Sequence, residues 1–305
     1  MATTMAAPVA NSIALATKFV PLLDEVYKRD SLSAILDTAE ERVRFVGAQT
    51  VKIFKVDVDG LGNYSRNAGF VPGSSDGTWE TLTIEKDRGR SFSIDTMDND
   101  STLGMALSST LSEFERVQVV PEIDAYRFAK YAANAGTTAT ATLSGSDNIA
   151  DLIQTAEATL DDKEVPYEGR ILFVNPFIYA YLKQDITRYT QNGDPNVNGE
   201  VEMYDGMRVI RVPSGRFNTQ ITLAAPTTNS SAGGYSATGV DINFMIIHPS
   251  AVMQVIKHQI PRLFSPEVNQ EADAWKLNYR VYHDCWVLDN KTYGIYVHKK
   301  ASSTT

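Results

Sequence analysis

A chain of 305 residues has room for one large domain or two modest ones, and its 43% hydrophobic and 21% charged content is that of a folded protein. The formal charge of −9 argues against a surface that grips nucleic acid by neutralising phosphates, and it suits a protein kept apart from its copies until directed contacts form. The single cysteine, Cys285, excludes an internal disulfide and points to an intracellular folding compartment, while nothing approaches the roughly 18 uninterrupted apolar residues of a membrane helix and residues 1–15 lack the basic flank of a secretion signal.

Residues 1–50 read as a loosely attached arm, small and polar over 2–10, followed by a helix whose apolar positions Leu22, Leu23, Val26, Tyr27, Leu32, Ile35 and Leu36 recur at helical spacing. Two strands follow: 51–58, rich in β-branched residues, and 79–85, where Leu82 and Ile84 alternate with Thr81, Thr83 and Glu85. The connection 59–77 between them holds five glycines and Pro72. A structureless connection of that length counts against a simple hairpin. Two readings stay open, a floppy hairpin tip or an arm that leaves the body and becomes ordered on a neighbouring subunit. In the second, Tyr64, Arg66, Phe70 and Trp79 are the candidate contacts.

The strongest helical signal is the stripe Leu103, Leu107, Leu111, Phe114 and Val117, resumed after Pro121 by Ile123, Tyr126, Ala129 and Ala133. Pro121 lacks an amide and crowds the preceding turn, so it should kink or split this long element. The Thr/Ala/Gly/Ser stretch 136–146 marks a domain boundary, after which Asp147 is placed to cap a helix over 149–161. The remainder reads as an α/β unit. It has a strand at 170–175, a helical turn at 177–183, a loop at 191–199, and strands at 207–212, 221–224 and 240–247. A Gly/Ser/Thr loop fills 226–239, and 249–258 is a short helix or strand. Two last strands, 276–288 and 292–298, are joined by the turn Asp289-Asn290-Lys291.

Chemistry is mostly missing. No phosphate-cradling loop, HExxH, CxxC or complete calcium loop occurs; Asp57-Val58-Asp59-Gly60 is a fragment of the last, and Asp95, Asp98 and Asp100 read as a solvated helix start. Gly73-Ser74-Ser75-Asp76-Gly77 satisfies GxSxG, but a nucleophile elbow needs a helix where Trp79 sits in a strand. His283 and Cys285 share a strand face, which reads as core before catalysis, and His248, His258 and His298 lack metal-ligand spacing. We therefore expect no catalytic, cofactor or metal residue.

The order of these parts resembles the major capsid protein family of tailed bacteriophages, the Hong Kong 97 type. Two stretches of wording add to it: Pro121-Glu122-Ile123-Asp124-Ala125-Tyr126-Arg127-Phe128, and Tyr282-His283-Asp284 followed by Asp289-Asn290-Lys291 and Gly294-Ile295-Tyr296. The resemblance implies an α+β fold with an N-terminal arm (1–50), an extended two-stranded loop (51–90) and a peripheral domain with a spine helix (91–146). An axial α/β domain (147–262) and returning strands that complete the peripheral domain (263–305) would follow. It implies a structural subunit, not an enzyme, that self-assembles as hexamers and pentamers into an icosahedral or prolate shell around packaged double-stranded DNA. No cofactor is implied. Expected partners are copies of itself, a separate scaffolding protein, a portal protein and a decoration protein, without sequence-specific DNA binding or a membrane. The expected place is the virion capsid, assembled in the host bacterial cytoplasm. Lys52, Lys55 and Lys86 flank the extended loop, but no feature singles one out for a Lys–Asn cross-link. The competing readings are an encapsulin-like bacterial compartment shell and, more remotely, a hydrolase using Ser75 or Cys285.

Overall fold

The structure, a computed structural model, describes residues 31–37, 45–46, 50–67, 69–96, 111–189, 201–225, 232–269 and 273–302. The expected arm before residue 31, Leu103 and Leu107 of the stripe, and the 191–199 loop lie outside the described residues. In chain order come β1 (Phe45–Val46), β2 (Thr50–Val58), β3 (Ser75–Thr83), β4 (Lys86–Asp95), α1 (Val120–Ala133), β5 (Thr137–Thr140), α2 (Ile149–Asp162), β6 (Ile171–Val174) and α3 (Pro176–Tyr189). Then follow β7 (Met203–Tyr204), β8 (Met207–Arg211), β9 (Ile221–Leu223), β10 (Tyr235–Ala237), β11 (Ile242–Ile247), β12 (Val252–Phe264), β13 (Ala274–Val287) and β14 (Ile295–Lys299).

A mixed six-stranded sheet, ordered β5-β14-β11-β6-β8-β7, forms the larger core. Its central strands β6 and β11 are buried at every residue, because both faces are covered. Alternation decides which neighbour each side chain meets. Leu172, Val174, Phe244, Ile246 and Tyr296 meet α2 and α3, whereas Phe173, Met245, Ile247 and Val297 pack with Phe128 and Tyr131 of α1. A three-stranded sheet, β12-β13-β4, covers the earlier part of the same long helix through Leu263, Leu277, Tyr279 and Val281 against Val119, Val120 and Ile123. The helix over 111–133 thus bridges the two sheets.

Pro121 acts one turn earlier than expected. It cannot donate to the carbonyl of Val117, and the backbone answers with a π-turn at Glu115–Val119 in which the Val120 N–H reaches the Glu115 carbonyl. The extra residue per turn rotates the buried face. Val117, expected on the stripe, is 43% exposed, while Val119 and Val120 are buried. The Glu115 carboxylate, fully buried by this rotation, accepts from Gln259 Nε2 (2.7 Å) and the Tyr279 hydroxyl (3.3 Å).

Other expectations shift with tertiary pairing. The 136–146 stretch, read as a boundary, contains β5, which pairs parallel with β14 at the sheet edge. Asn148, not Asp147, caps α2; Asp147 accepts from the Ser144 amide and hydroxyl and so fixes the turn before the cap. Asp185 of α3 accepts from the Ile149 N–H (2.7 Å) and completes that helix start. The turn after β13 does not make a hairpin. Asp289–Gly294 is a 3-10 segment that sends β14 into the six-stranded sheet, so the strands expected to return together over 263–305 part company. The expected 147–262 unit likewise ends inside β12, which pairs along its length with β13.

Candidate assembly surface

The β2–β3 hairpin has nine paired positions, from Thr50↔Thr83 to Val58↔Ser75. Its root packs on the body: Val51 and Leu82, with Ile84, meet Met253, Val255 and Trp286. Farther out, the hydrophobic phase of β2 reverses. Val51 and Ile53 face the body, and that phase then becomes Lys55 and Asp57. The opposite phase begins with Lys52 and becomes Phe54, Val56 and Val58, which are 51%, 60% and 67% exposed and continue across the ladder to Trp79 at 63%. A strand whose apolar side faces its own core for half its length and turns away for the rest serves two cores.

Local chemistry keeps this face flat and ready. The Phe54 ring tilts against Trp79 with centroids 5.0 Å apart, and it lies across Gly77, where any Cβ would overlap it. A side chain there would push the half-exposed Phe54 ring aside. On the opposite face Lys55 holds Glu80 and, on the body, Asp289, each at 2.7 Å.

The connection beyond is not structureless. Asp59 closes it by backbone and side chain on Ser74, and a bridge between Ser65 and Gly69 pinches the end, with Gly69 at φ +78°. Of the candidate contacts, Tyr64 and Phe70 sit together at this tip with ring centroids 4.9 Å apart, 61% and 86% exposed. Arg66 is exposed beside them, and Trp79 stands apart on the ladder. Phe54, Val56 and Val58 were not among the sequence candidates, although the reversal of phase within Thr50–Val58 is visible in the sequence.

Both stretches of wording singled out in the sequence meet at the hairpin root. From α1, Tyr126 donates to Asp284 (2.8 Å), whose other oxygen accepts the Glu85 N–H (2.9 Å). Burial, reinforced by the Asp284 charge, raises the Tyr126 pKa, so the phenol stays a donor. Asp124, fully buried, accepts from the Ser31 hydroxyl and from the amides of Leu32 and Ser33. It also takes the Ser33 hydroxyl and the Arg216 guanidinium. Glu122 pairs with Arg88 at 2.7 Å, and Arg88 reaches the carbonyls of Ala224 and Gly234 around the β9–β10 loop. One helix therefore fixes the segment 31–37, the hairpin root and that loop.

The catalytic readings find no geometry. Ser75 opens β3 in register with Val58, with no helix behind it. Cys285 is fully buried, which pushes its thiol up to about 12, and burial, aided by the nearby charges of Arg127, Arg88 and Lys86, lowers His283 to about 3. Among the described residues no group of three or more His, Cys, Asp or Glu could hold a metal, and no helix is long and apolar enough to cross a membrane.

The neutral His283 makes stability acid-sensitive. The unfolded imidazole takes its proton near 6.5 and the folded one only near 3, so the contribution is complete above pH 6.5 and is lost as pH falls toward 3. Each unit within that window costs about 1.4 kcal/mol. Comparing melting temperatures at pH 7.5 and pH 5, the His283→Phe variant should lose distinctly less than the parent; equal losses would place the acid sensitivity elsewhere.

An α+β body bridged by one helix, with an exposed aromatic hairpin standing off it, has the form of a structural subunit that meets other chains. The model of the phage capsid protein family matches residues 79–292, and the chain belongs to that family. Solved structures agree in fold. The capsid of cyanophage P-SCSP1u has a TM-score of 0.62 at 16% identity, covering 88% of this chain and 87% of that one. Gordonia phage Cozz has 0.61 at 16%, covering 90% and 87%. The virus-like particle from Pyrococcus furiosus has 0.52 at 12%, covering 91% and 96%. No curated protein matches the sequence. The fold is of the Hong Kong 97 type, and the protein is a structural capsid subunit of the virion.

Proposed function

We propose that this subunit builds a closed icosahedral or prolate shell of hexamers and pentamers around packaged double-stranded DNA, without catalysing a reaction. The observation that supports this reading is the outward apolar face Phe54, Val56, Val58 and Trp79, which the described residues leave open. The hairpin would lie over an adjacent copy, with Tyr64, Arg66, Phe70 and Trp79 among the contacts, and residues before 31 would run beneath another. The sheet β12-β13-β4 would form the peripheral layer, and the six-stranded sheet with α2 and α3 the axial layer. Weak contacts suffice when closure makes them multivalent. The net charge of −9 would let the shell hold DNA without adhering to it. Assembly would take place in the host bacterial cytoplasm with a separate scaffolding protein, a portal protein and a decoration protein. Electron microscopy of the purified protein tests the reading: shells, rings or tubes are expected, and uniform monomers at every concentration would overturn it.

A further inference from the structure

The small sheet of β9 and β10 ends on an open edge. Its ladder is bracketed by the Ala224 N–H on the Gly234 carbonyl and the Thr238 N–H on the Gln220 carbonyl, with Thr222 opposite Ser236 between them. Bonding in an antiparallel pair alternates along each strand. Gln220, Thr222 and Ala224 therefore face β10, while Ile221 and Leu223 turn their N–H and C=O groups the other way. Among the described residues no strand pairs with that side of β9. An unpaired edge of this kind is a template for another extended chain.

Beside the edge runs a groove of about 540 Å³ between β9 and the second half of α1, with Ile221 and Leu223 on its strand side. Ala129 and Ala133, one turn apart on the helix side, fill little of it and leave room for a backbone. Lys86 and Lys130 supply the charge of the lining, and no carboxylate stands among the described lining residues. Lys86 lies over the Tyr126 ring, 5.6 Å from its centroid, and its neighbour Glu85 approaches only to 3.6 Å. In a chain of net charge −9, a groove with two cations is complementary to an acidic guest.

We propose that β9 takes up an extended acidic segment of a different protein as a third strand, with main-chain bonds to Ile221 and Leu223 and carboxylates meeting Lys86 and Lys130. Main-chain pairing supplies the affinity, and the two lysines supply the choice of partner. The inference uses no residue of the β2–β3 hairpin and stands apart from the reading of that hairpin.

The probe is a labelled peptide of about eight alternating Glu and Val residues, a strand's length, titrated against the full-length protein by fluorescence anisotropy. It should bind at least about tenfold more tightly than a Lys and Val peptide of the same length. The same probe with a fully N-methylated backbone keeps its charge but cannot pair, and its binding should vanish. Leu223→Pro removes an outward amide that the β9–β10 ladder does not use. The variant should melt as the parent does and weaken the probe about fivefold, the scale of one lost hydrogen bond. Equal binding of the two charge types, or of the N-methylated probe, would overturn the inference whatever the variant's fold. Shell assembly lost in a melting-competent Leu223→Pro variant would hand the edge to a second copy and overturn it as well.

Discussion

Replacing Phe54, Val56, Val58 and Trp79 together by serine is expected to leave a folded monomer that no longer forms shells. These side chains make no part of the four buried clusters, so their loss removes little from the folded chain. Covering their exposed halves on a neighbour would contribute on the order of 1 kcal/mol each at about 25 cal/mol per Å². Four such losses, about 4 kcal/mol per contact, lower pairwise association about a thousandfold, and a closed shell multiplies the deficit through every linked contact. Sedimentation and microscopy would report monomers, and the melting temperature would stay close to the parent. Shells at parental yield would show that this face is idle; an unfolded product would show that it belongs to the chain's own core. Removing residues 60–73 in favour of an Asn-Gly turn keeps the Asp59–Ser74 closure and the full ladder, and it should weaken assembly without touching the fold.

Asp124→Ala should cause the largest loss of monomer stability, about 3–5 kcal/mol, as expected when one partner of a buried charged network is removed. Its carboxylate gathers two hydroxyls, two amides and a guanidinium at a fully buried site. Without it the Ser33 amide loses its acceptor, and a buried unsatisfied group carries its full desolvation cost. The segment 31–37 should then lose its hold on α1. Denaturant titration reads the stability, and hydrogen exchange at residues 31–37 reads the release. Asp124→Asn keeps one acceptor oxygen and should recover part of the loss. A loss below about 1 kcal/mol, within the range of an ordinary exposed pair, would show that the segment is held by other contacts.

The sequence carried the local signals well. The helix at Ile149–Asp162 was legible because Ile149, Ile153, Ala156 and Leu160 repeat at helical spacing, and Ile171–Val174 and Ile242–Ile247 because a strand covered on both faces is apolar throughout. Pro121 announced a disturbance in the long helix, although not that a π-turn would absorb it and turn Val117 outward. Lys86–Asp95 escaped notice. As an edge strand it offers only Phe92 and Ile94 as apolar residues, and its identity comes from ten register partners on β13, more than 170 positions away. The hub around Asp124, Tyr126 and Asp284 was visible as wording but not as contact.

Composition, periodicity and turn chemistry, being properties of neighbours along the chain, determined by themselves that this is a folded protein of mixed helices and strands. They also placed a glycine-rich excursion between two strands. Which strands share a sheet, that Ile295–Lys299 leaves β13 for the other sheet, and which face of Thr50–Val58 looks outward were decided only by the tertiary structure. Strand partners and burial depend on distant backbone meeting in space, and a β-strand, whose hydrogen bonds all lie outside itself, carries no local record of where they go.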